Sequence, residues 1–374
     1  MLLTRQQEDA LRLAEAWLSG GNQVFRLFGF AGTGKTTLAR LLGATHYAAF
    51  TGKAAYVLRS MGCPNATTIH SLIYTPRTKS AARLRELEEE LEKHPQNQEL
   101  LVMVQVERAN VKRPSWTLNL GSELRYAKLL VIDECSMVDE VMGEDLLSFG
   151  CKVLVLGDPA QLPPVAGGGF FTNQQPDVLL TEVHRQARDN PILDLATIIR
   201  ETGQLPDHHE LIYRGKVTPQ MGMTVDQLIV GRNATRHAIN KRMRYLLGRM
   251  DPLPVIGDKV VCTRNNHDIG LLNGAVYQVT DIPAPGLIEL DNDLVVEYHP
   301  ELFLGQELEY WREDQAQKFE YGYALTCHKA QGSQWDSVGI MDESGAFPKA
   351  QRASWLYTAV TRAAKTLWVA AKPA

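Results

Sequence analysis

The run Val24-Phe-Arg-Leu-Phe-Gly29-Phe-Ala-Gly-Thr-Gly34-Lys35-Thr36-Thr37-Leu-Ala-Arg-Leu-Leu42 decides the fold. Val24–Phe28 is rich in aromatic and apolar side chains and reads as a strand, whereas Thr37–Leu42 reads as a helix. Between them Gly29-Phe-Ala-Gly-Thr-Gly34-Lys35-Thr36 satisfies G-x-x-x-x-G-K-[ST] in full, in the strand–turn–helix setting its chemistry needs. Glycines let the backbone wind until successive N–H groups point at phosphate oxygens, and the helix N-terminus adds positive potential. Gly29, Ala31, Gly32, Thr33, Gly34, Lys35, Thr36 and Thr37 form the candidate nucleotide loop. In it Lys35 pairs with the β- and γ-phosphates of ATP and Thr36 ligates Mg²⁺.

Outward from this loop, Leu129-Leu-Val-Ile-Asp133-Glu134 places two acids at the end of an apolar strand. Asp133 is the candidate Mg²⁺ partner through its waters, and Glu134 the group that orients and deprotonates an attacking water. Adjacent acids after a strand are common alone; downstream of an intact phosphate loop they point to hydrolysis. Gly157-Asp-Pro-Ala-Gln161-Leu-Pro163-Pro-Val165 follows another strand, and Gln161 is placed to sense the γ-phosphate. Further strand-like runs at 48–51 and 153–156 alternate with helical segments, which predicts a parallel sheet covered on both faces. Ligands on such sheets sit at the carboxyl ends of the strands.

The chain's 374 residues imply two or three units at roughly 150 residues each. With 44% hydrophobic and 22% charged residues it reads as globular, not disordered. Five dispersed cysteines without a Cys-x-x-Cys pair argue against a disulfide framework or a zinc site and favour a reducing compartment. No signal peptide and no run near 18 apolar residues is read, so secreted and membrane classes are set aside. A net charge of −4 excludes capture of nucleic acid by bulk charge and leaves room for a local basic groove.

Elsewhere, residues 5–18 show helical spacing with Thr4 as cap. Residues 75–113 read as a charged, solvated helical insertion broken near Pro95, and Pro114–Ser122 as a small hairpin. Strand 228–231 and helix 235–247 precede a run of short β-segments, including 259–263, 275–281, 283–286, 287–290 and 294–298, which reads as a compact β-insertion.

Taken in order, these blocks resemble superfamily 1 helicases, specifically the RecD-like branch with its Dda-like members. The likeness runs from residue 3 to residue 369. Leu3-Thr4-x-x-Gln7-x-x-Ala10 is similar to the adenine-reading Q motif, which makes Gln7 the implied base contact. Thr51-Gly-Lys53-Ala-Ala55 resembles motif Ia and Thr68-Ile-His70-Ser-Leu72 motif Ib, while Asp133–Met137 and Gly157–Val165 resemble motifs II and III. Val183-His-Arg185-Gln186, Thr326-Cys-His328-Lys-Ala-Gln-Gly332-Ser333 and Leu356-Tyr-Thr-Ala-Val-Thr-Arg362 resemble motifs IV, V and VI. The resemblance implies arginine fingers at Arg185 and Arg362, a nucleotide contact at Gly332, and DNA contacts from Thr51, Lys53, Thr68, His70, Pro163, Thr326 and His328. Trp116 is the candidate strand-separating pin, with packing against the first domain as the equal alternative.

The implied fold is α/β, with two RecA-like P-loop domains of parallel strands flanked by helices. Domain 1A covers 1–73 and 118–172, a helical/hairpin insertion 1B 74–117, domain 2A 173–251 and 316–374, and an SH3-like barrel 2B 252–315. The implied function is an ATP- and Mg²⁺-dependent motor, monomeric, moving 5′ to 3′ on single-stranded DNA and opening duplex at junctions in the cytoplasm of a bacterial or phage-infected cell. An ATP-switched clamp that does not unwind, and a motor acting on RNA, remain open.

Overall fold

The computed structural model describes residues 3–76, 81–112, 116–163, 169–182, 190–264, 266, 269–306, 308 and 316–371. Helix α1 (Arg5–Leu18) opens on a reciprocal cap in which the Thr4 hydroxyl accepts from Gln7 N and the Gln7 side chain accepts from Thr4 N. It buries Ala10, Ala14 and Trp17, one face of the helix, against the first sheet. Strands β1 (Val24–Gly29), β2 (His46–Ala49) and β3 (Thr67–Thr68) alternate with helices α2 (Lys35–Leu41) and α3 (Gly52–Ser60). After helix α4 (Ile69–Ile73), strand β4 (Tyr74–Pro76) leaves for an excursion made of helices α5 (Ala81–Lys93) and α6 (Gln98–Lys112), and strand β5 (Trp116–Leu118) returns. Strands β6 (Leu129–Asp133), β7 (Lys152–Gly157) and β8 (Val178–Leu180), with helix α7 (Glu140–Ser148), complete the lobe.

The first sheet is parallel, in the order β3-β2-β6-β7-β1-β8. Its central strands are apolar on both faces because both are covered. Leu129 and Val131 of β6 pack with Leu154 and Leu156 of β7 into one core, while Leu130, Ile132, Val153 and Val155 enter the other. The strands end at the phosphate loop, at Asp133 and at Gly157, so the fold itself gathers the sequence motifs along one edge.

The second lobe carries helices α8 (Pro191–Thr202), α9 (Pro219–Met223), α10 (Asn233–Leu246) and α12 (Lys349–Val360). Its sheet is also parallel, ordered β16 (Ala324–Thr326), β10 (Gln227–Val230), β17 (Trp335–Met341), β18 (Ala363–Ala370) and β9 (Ile212–Tyr213). Between α10 and β16 lies a third, antiparallel sheet of β14 (Val295–Glu297), β13 (Leu287–Leu290), β12 (Val276–Asp281), β11 (Lys259–Cys262) and β15 (Phe319–Tyr321), closed by helix α11 (Pro300–Phe303).

Several expectations need correction. Val178–Leu180 lies in the first sheet beside β1, although the sequence reading starts the second domain at 173. Phe319–Tyr321 pairs with β11, so the small sheet extends past the expected limit of 315. Residues 283–286 form a turn, with Gly286 at φ +85°, not a strand. Among the described residues of the expected hairpin at 114–122, Trp116–Leu118 pairs with Tyr74–Pro76 and not within the segment, closing the root of the helical excursion. The break near Pro95 does separate two helices, α5 and α6, which pack through Leu84 and Val104.

Candidate nucleotide site and interlobe cleft

The phosphate loop winds through Gly32 at φ +77° and Gly34 at φ +83°, a region that favours glycine. A Cβ on Gly29 would lie 2.7 Å from Thr33 Oγ1 and 2.8 Å from Leu180 Cβ, so a larger residue there would displace the loop. Thr33 is fully buried and donates through Oγ1 to Phe30 O at 2.8 Å. Lys35 Nζ donates to Gly29 O at 2.6 Å and Phe30 O at 3.1 Å, which holds its charge over the loop. Gln7 lies beneath. Its Nε2 donates to Thr33 O at 3.0 Å and its Oε1 accepts from Thr4 N at 2.9 Å, making it a brace of the loop. An adenine contact would have to share an amide already bonded at both ends. Thr37 lies on α2, one residue past the cavity-lining Thr36.

Thr36 Oγ1 and Asp133 Oδ2 stand 3.4 Å apart, and Glu134 N donates to Asp133 Oδ1 at 2.9 Å. Burial, then the Glu134 charge, push the Asp133 carboxyl up to about 6 against the pull of Lys35. Both acids line a cavity of about 250 Å³ with Lys35, Gln161 and Arg362. Gln161 lines the same cavity, and its Oε1 is buried with no hydrogen-bond partner among the described residues. The Thr36 hydroxyl and Asp133 carboxylate, with Glu134 lining the same cavity, form an oxygen donor set that suits the hard Mg²⁺ ion. Among the described residues no group of three or more His, Cys, Asp or Glu forms an alternative metal cluster.

The second lobe completes the cavity. Arg362 follows α12, is almost wholly buried, and places Nη1 4.0 Å from Glu134 Oε1. Its guanidinium is aimed by Thr358 O, Ser333 O and Thr361 Oγ1. Gly332, at φ +70°, is forced by proximity: a Cβ would lie 2.8 Å from Thr51 Oγ1 of the first lobe. Around this contact Tyr357 OH accepts from Ala31 N and donates to Asp158 Oδ2, both at 2.8 Å. Leu162 N donates to Thr358 Oγ1 at 2.7 Å, and Gln331 Nε2 donates to Leu162 O at 2.6 Å. Asp158, Tyr357, Thr358 and Gln331 were not singled out from sequence. Their motifs are visible there, but partners 169 to 326 positions away are not.

The expected DNA residues divide. Thr51 and Thr68 cap α3 and α4 through their side chains. Lys53 points into the cleft, 4.2 Å over the Trp335 ring, where burial and Arg362 push its amine down to about 8. It is thus an interlobe contact. His70 sits among Phe50, Tyr74 and Trp116, with ring centroids 5.9, 5.7 and 6.1 Å away. Trp116 therefore stands at the root of the helical excursion and not at a tip. Thr326 is buried and accepts from Lys329 N, His328 packs on Phe347, and Pro163 is exposed. Arg185 lies outside the described residues.

Two stacked lobes that share one phosphate-binding cavity define a P-loop nucleotide-binding protein of the RecA-like class. The chain belongs to the AAA-domain family, whose model matches residues 2–218, and a UvrD-like helicase C-terminal domain matches residues 321–370. It is 29% identical over 274 residues to the ATP-dependent RecD2 DNA helicase of Deinococcus radiodurans, covering 63% of this chain and 35% of that protein. It is 28% identical over 219 residues to the ATP-dependent DNA helicase dda of Enterobacteria phage T4, covering 53% of this chain and 42% of that one. The matches thus span well under half of these relatives. A crystal structure of Pif1 helicase from Bacteroides with ADP-AlF3 and single-stranded DNA superposes with a TM-score of 0.60 at 21% identity, over 99% of this chain and 93% of that one. The resemblance to RecD-like and Dda-like superfamily 1B helicases stands.

Proposed function

We propose that the chain is an ATP-driven motor that moves 5′ to 3′ along single-stranded DNA and unwinds duplex at junctions, acting as a monomer in the cytoplasm. The observation that carries this reading is Arg362 of one lobe set 4.0 Å from Glu134 of the other across the phosphate-loop cavity. A nucleotide there touches both lobes, so binding draws them together and loss of its terminal phosphate releases them. Lys35 steadies the phosphates, Gln161 and Glu134 orient a water, and Glu134 takes its proton. Arg362 meets the charge that spreads over the transferring group, a role worth roughly 10³–10⁵ in rate for such fingers. Mg²⁺ held by Thr36 and Asp133 would supply charge neutralisation between the phosphates. Arg185 is proposed as a second finger on the resemblance alone.

The strand is proposed to cross both lobes past His70 and its aromatic neighbours and past Thr326 and His328. Stacking there would contribute roughly 1–3 kcal/mol per base without sequence preference. The helicase names of the relatives and the DNA-bound Pif1 fold support a DNA substrate; polarity rests on the RecD-like likeness. We assign the α5–α6 excursion as insertion 1B and the small antiparallel sheet as an SH3-like 2B domain. One observation favours a second reading, an ATP-switched clamp: the excursion is a helical hairpin and Trp116 lies at its root.

ATPase assays with and without single-stranded DNA, beside matched RNA, test the motor. Strong stimulation by DNA is expected, abolished in Lys35→Ala while strand binding persists; a rate indifferent to nucleic acid overturns the reading. Duplexes bearing a 5′ or a 3′ tail separate motor from clamp, and opening only of the 5′-tailed substrate is expected.

A further inference from the structure

Tyr357 belongs to the core of the second lobe, packed with Trp355, Leu356 and Val360. Its hydroxyl nevertheless finds both partners in the first lobe, Ala31 N of the phosphate loop and Asp158 Oδ2 at the end of β7. Asp158 also accepts from Ala160 N at 3.0 Å and so opens the turn 158–162. The far end of that turn, Leu162, is fully buried in the second-lobe core and bonded by Thr358 and Gln331. A turn that continues a first-lobe strand is therefore fastened at both ends by second-lobe side chains. Within it sits Gln161, which lines the cavity and whose Oε1 is buried without a hydrogen-bond partner among the described residues. Arg362 emerges from the end of the same helix, one turn beyond Tyr357 and Thr358.

We propose that Tyr357 is a positioning residue for ATP hydrolysis: its hydroxyl locks the phosphate loop and the 158–162 turn to α12, so that Gln161 and Arg362 reach the cavity in one fixed relation. This rests on the ATPase reading above. The phenol need not touch phosphate. It fixes geometry, and small misplacement of groups around a reacting centre costs rate steeply. Without the hydroxyl, Ala31 N and Asp158 each lose a partner and the lobes can dock in neighbouring registers. Nucleotide affinity, carried by the loop and Lys35, is largely spared.

The test is Tyr357→Phe, which keeps the ring and deletes the oxygen, alongside Asp158→Ala and the double variant, all in the full chain. Misplacement of Gln161 and Arg362 predicts a fall in kcat of about tenfold or more, with and without single-stranded DNA. KM for ATP is expected within about threefold of wild type, and the lost bonds also lower the melting midpoint; a merely structural role would lower the midpoint and spare kcat. Because both side chains serve one tie, the double variant should be no slower than the slower single one. A Tyr357→Phe kcat within about twofold of wild type, or losses that multiply in the double variant, would overturn the assignment. Failure of DNA to stimulate the wild-type enzyme would count against the motor reading instead, since the kcat comparison stands without DNA.

Discussion

Replacing Asp133 with Asn should stabilise the metal-free protein while ending its turnover. The carboxyl is shifted from its ordinary 3.8 to about 6 by burial and by the adjacent Glu134. That is a displacement of about 2 pH units, and at about 1.4 kcal/mol per unit it amounts to about 3 kcal/mol as an upper bound. The folded protein holds this proton more tightly than the unfolded chain does. The group's contribution therefore falls as pH rises from about 4 to about 6 and stays unfavourable above that; below about 4 both states are protonated and the penalty is gone. Asparagine keeps the acceptor for Glu134 N, bonded at 2.9 Å in the wild type, and removes the charge. In EDTA at pH 7.5, Asp133→Asn should melt several degrees higher, at roughly 2–4 °C per kcal/mol for lobes of this size. The difference should shrink through pH 5 and vanish near pH 4, and Mg²⁺ should narrow it by stabilising only the wild type. Thermal unfolding across this pH series, paired with an ATPase assay, checks it. An Asp133→Asn protein that melts lower than wild type at pH 7.5, or by the same margin at every pH, would refute the reasoning.

Other substitutions probe the cleft and the loop. Gly332→Ala puts a methyl 2.8 Å from Thr51 Oγ1 and strains a backbone at φ +70°, so ATPase should collapse while circular dichroism of the folded lobes is retained. Trp335→Ala removes the ring beneath Lys53 and, at about 0.5–2 kcal/mol for such a contact, should raise KM for ATP about 2- to 30-fold. Gln7→Ala cuts the bond to Thr33 O and half of the cap on α1; a loss of about 1–2 kcal/mol in stability and weaker nucleotide binding should appear together in a ligand-dependent melting assay.

The parts of the molecule legible in sequence are those whose chemistry is local. A phosphate loop must lie between a strand and a helix, and Asp133 must end a strand, so both could be read along the chain. Sheet membership is not local: Val178–Leu180 joins β1 and Phe319–Tyr321 joins β11 because those edges offer unpaired backbone, which no short window reveals. The cleft shows the same limit more sharply. Ala31 meets Tyr357 across 326 positions and Leu162 meets Thr358 across 196. Lys53, a basic residue in a motif read as strand-binding, lies over an indole of the opposite lobe, a placement set by packing and not by its neighbours in sequence.

Leu272, in the small antiparallel domain, occupies the space that a Cβ on Gly52 would need, 2.5 Å from its Cδ2. The domain grows out of one lobe yet leans its leucine on the other. Prying the halves apart must drag that side chain off its seat into water, at about 25 cal/mol for every Å² uncovered. Each opening thus loads a short-range apolar spring that pulls the halves shut again.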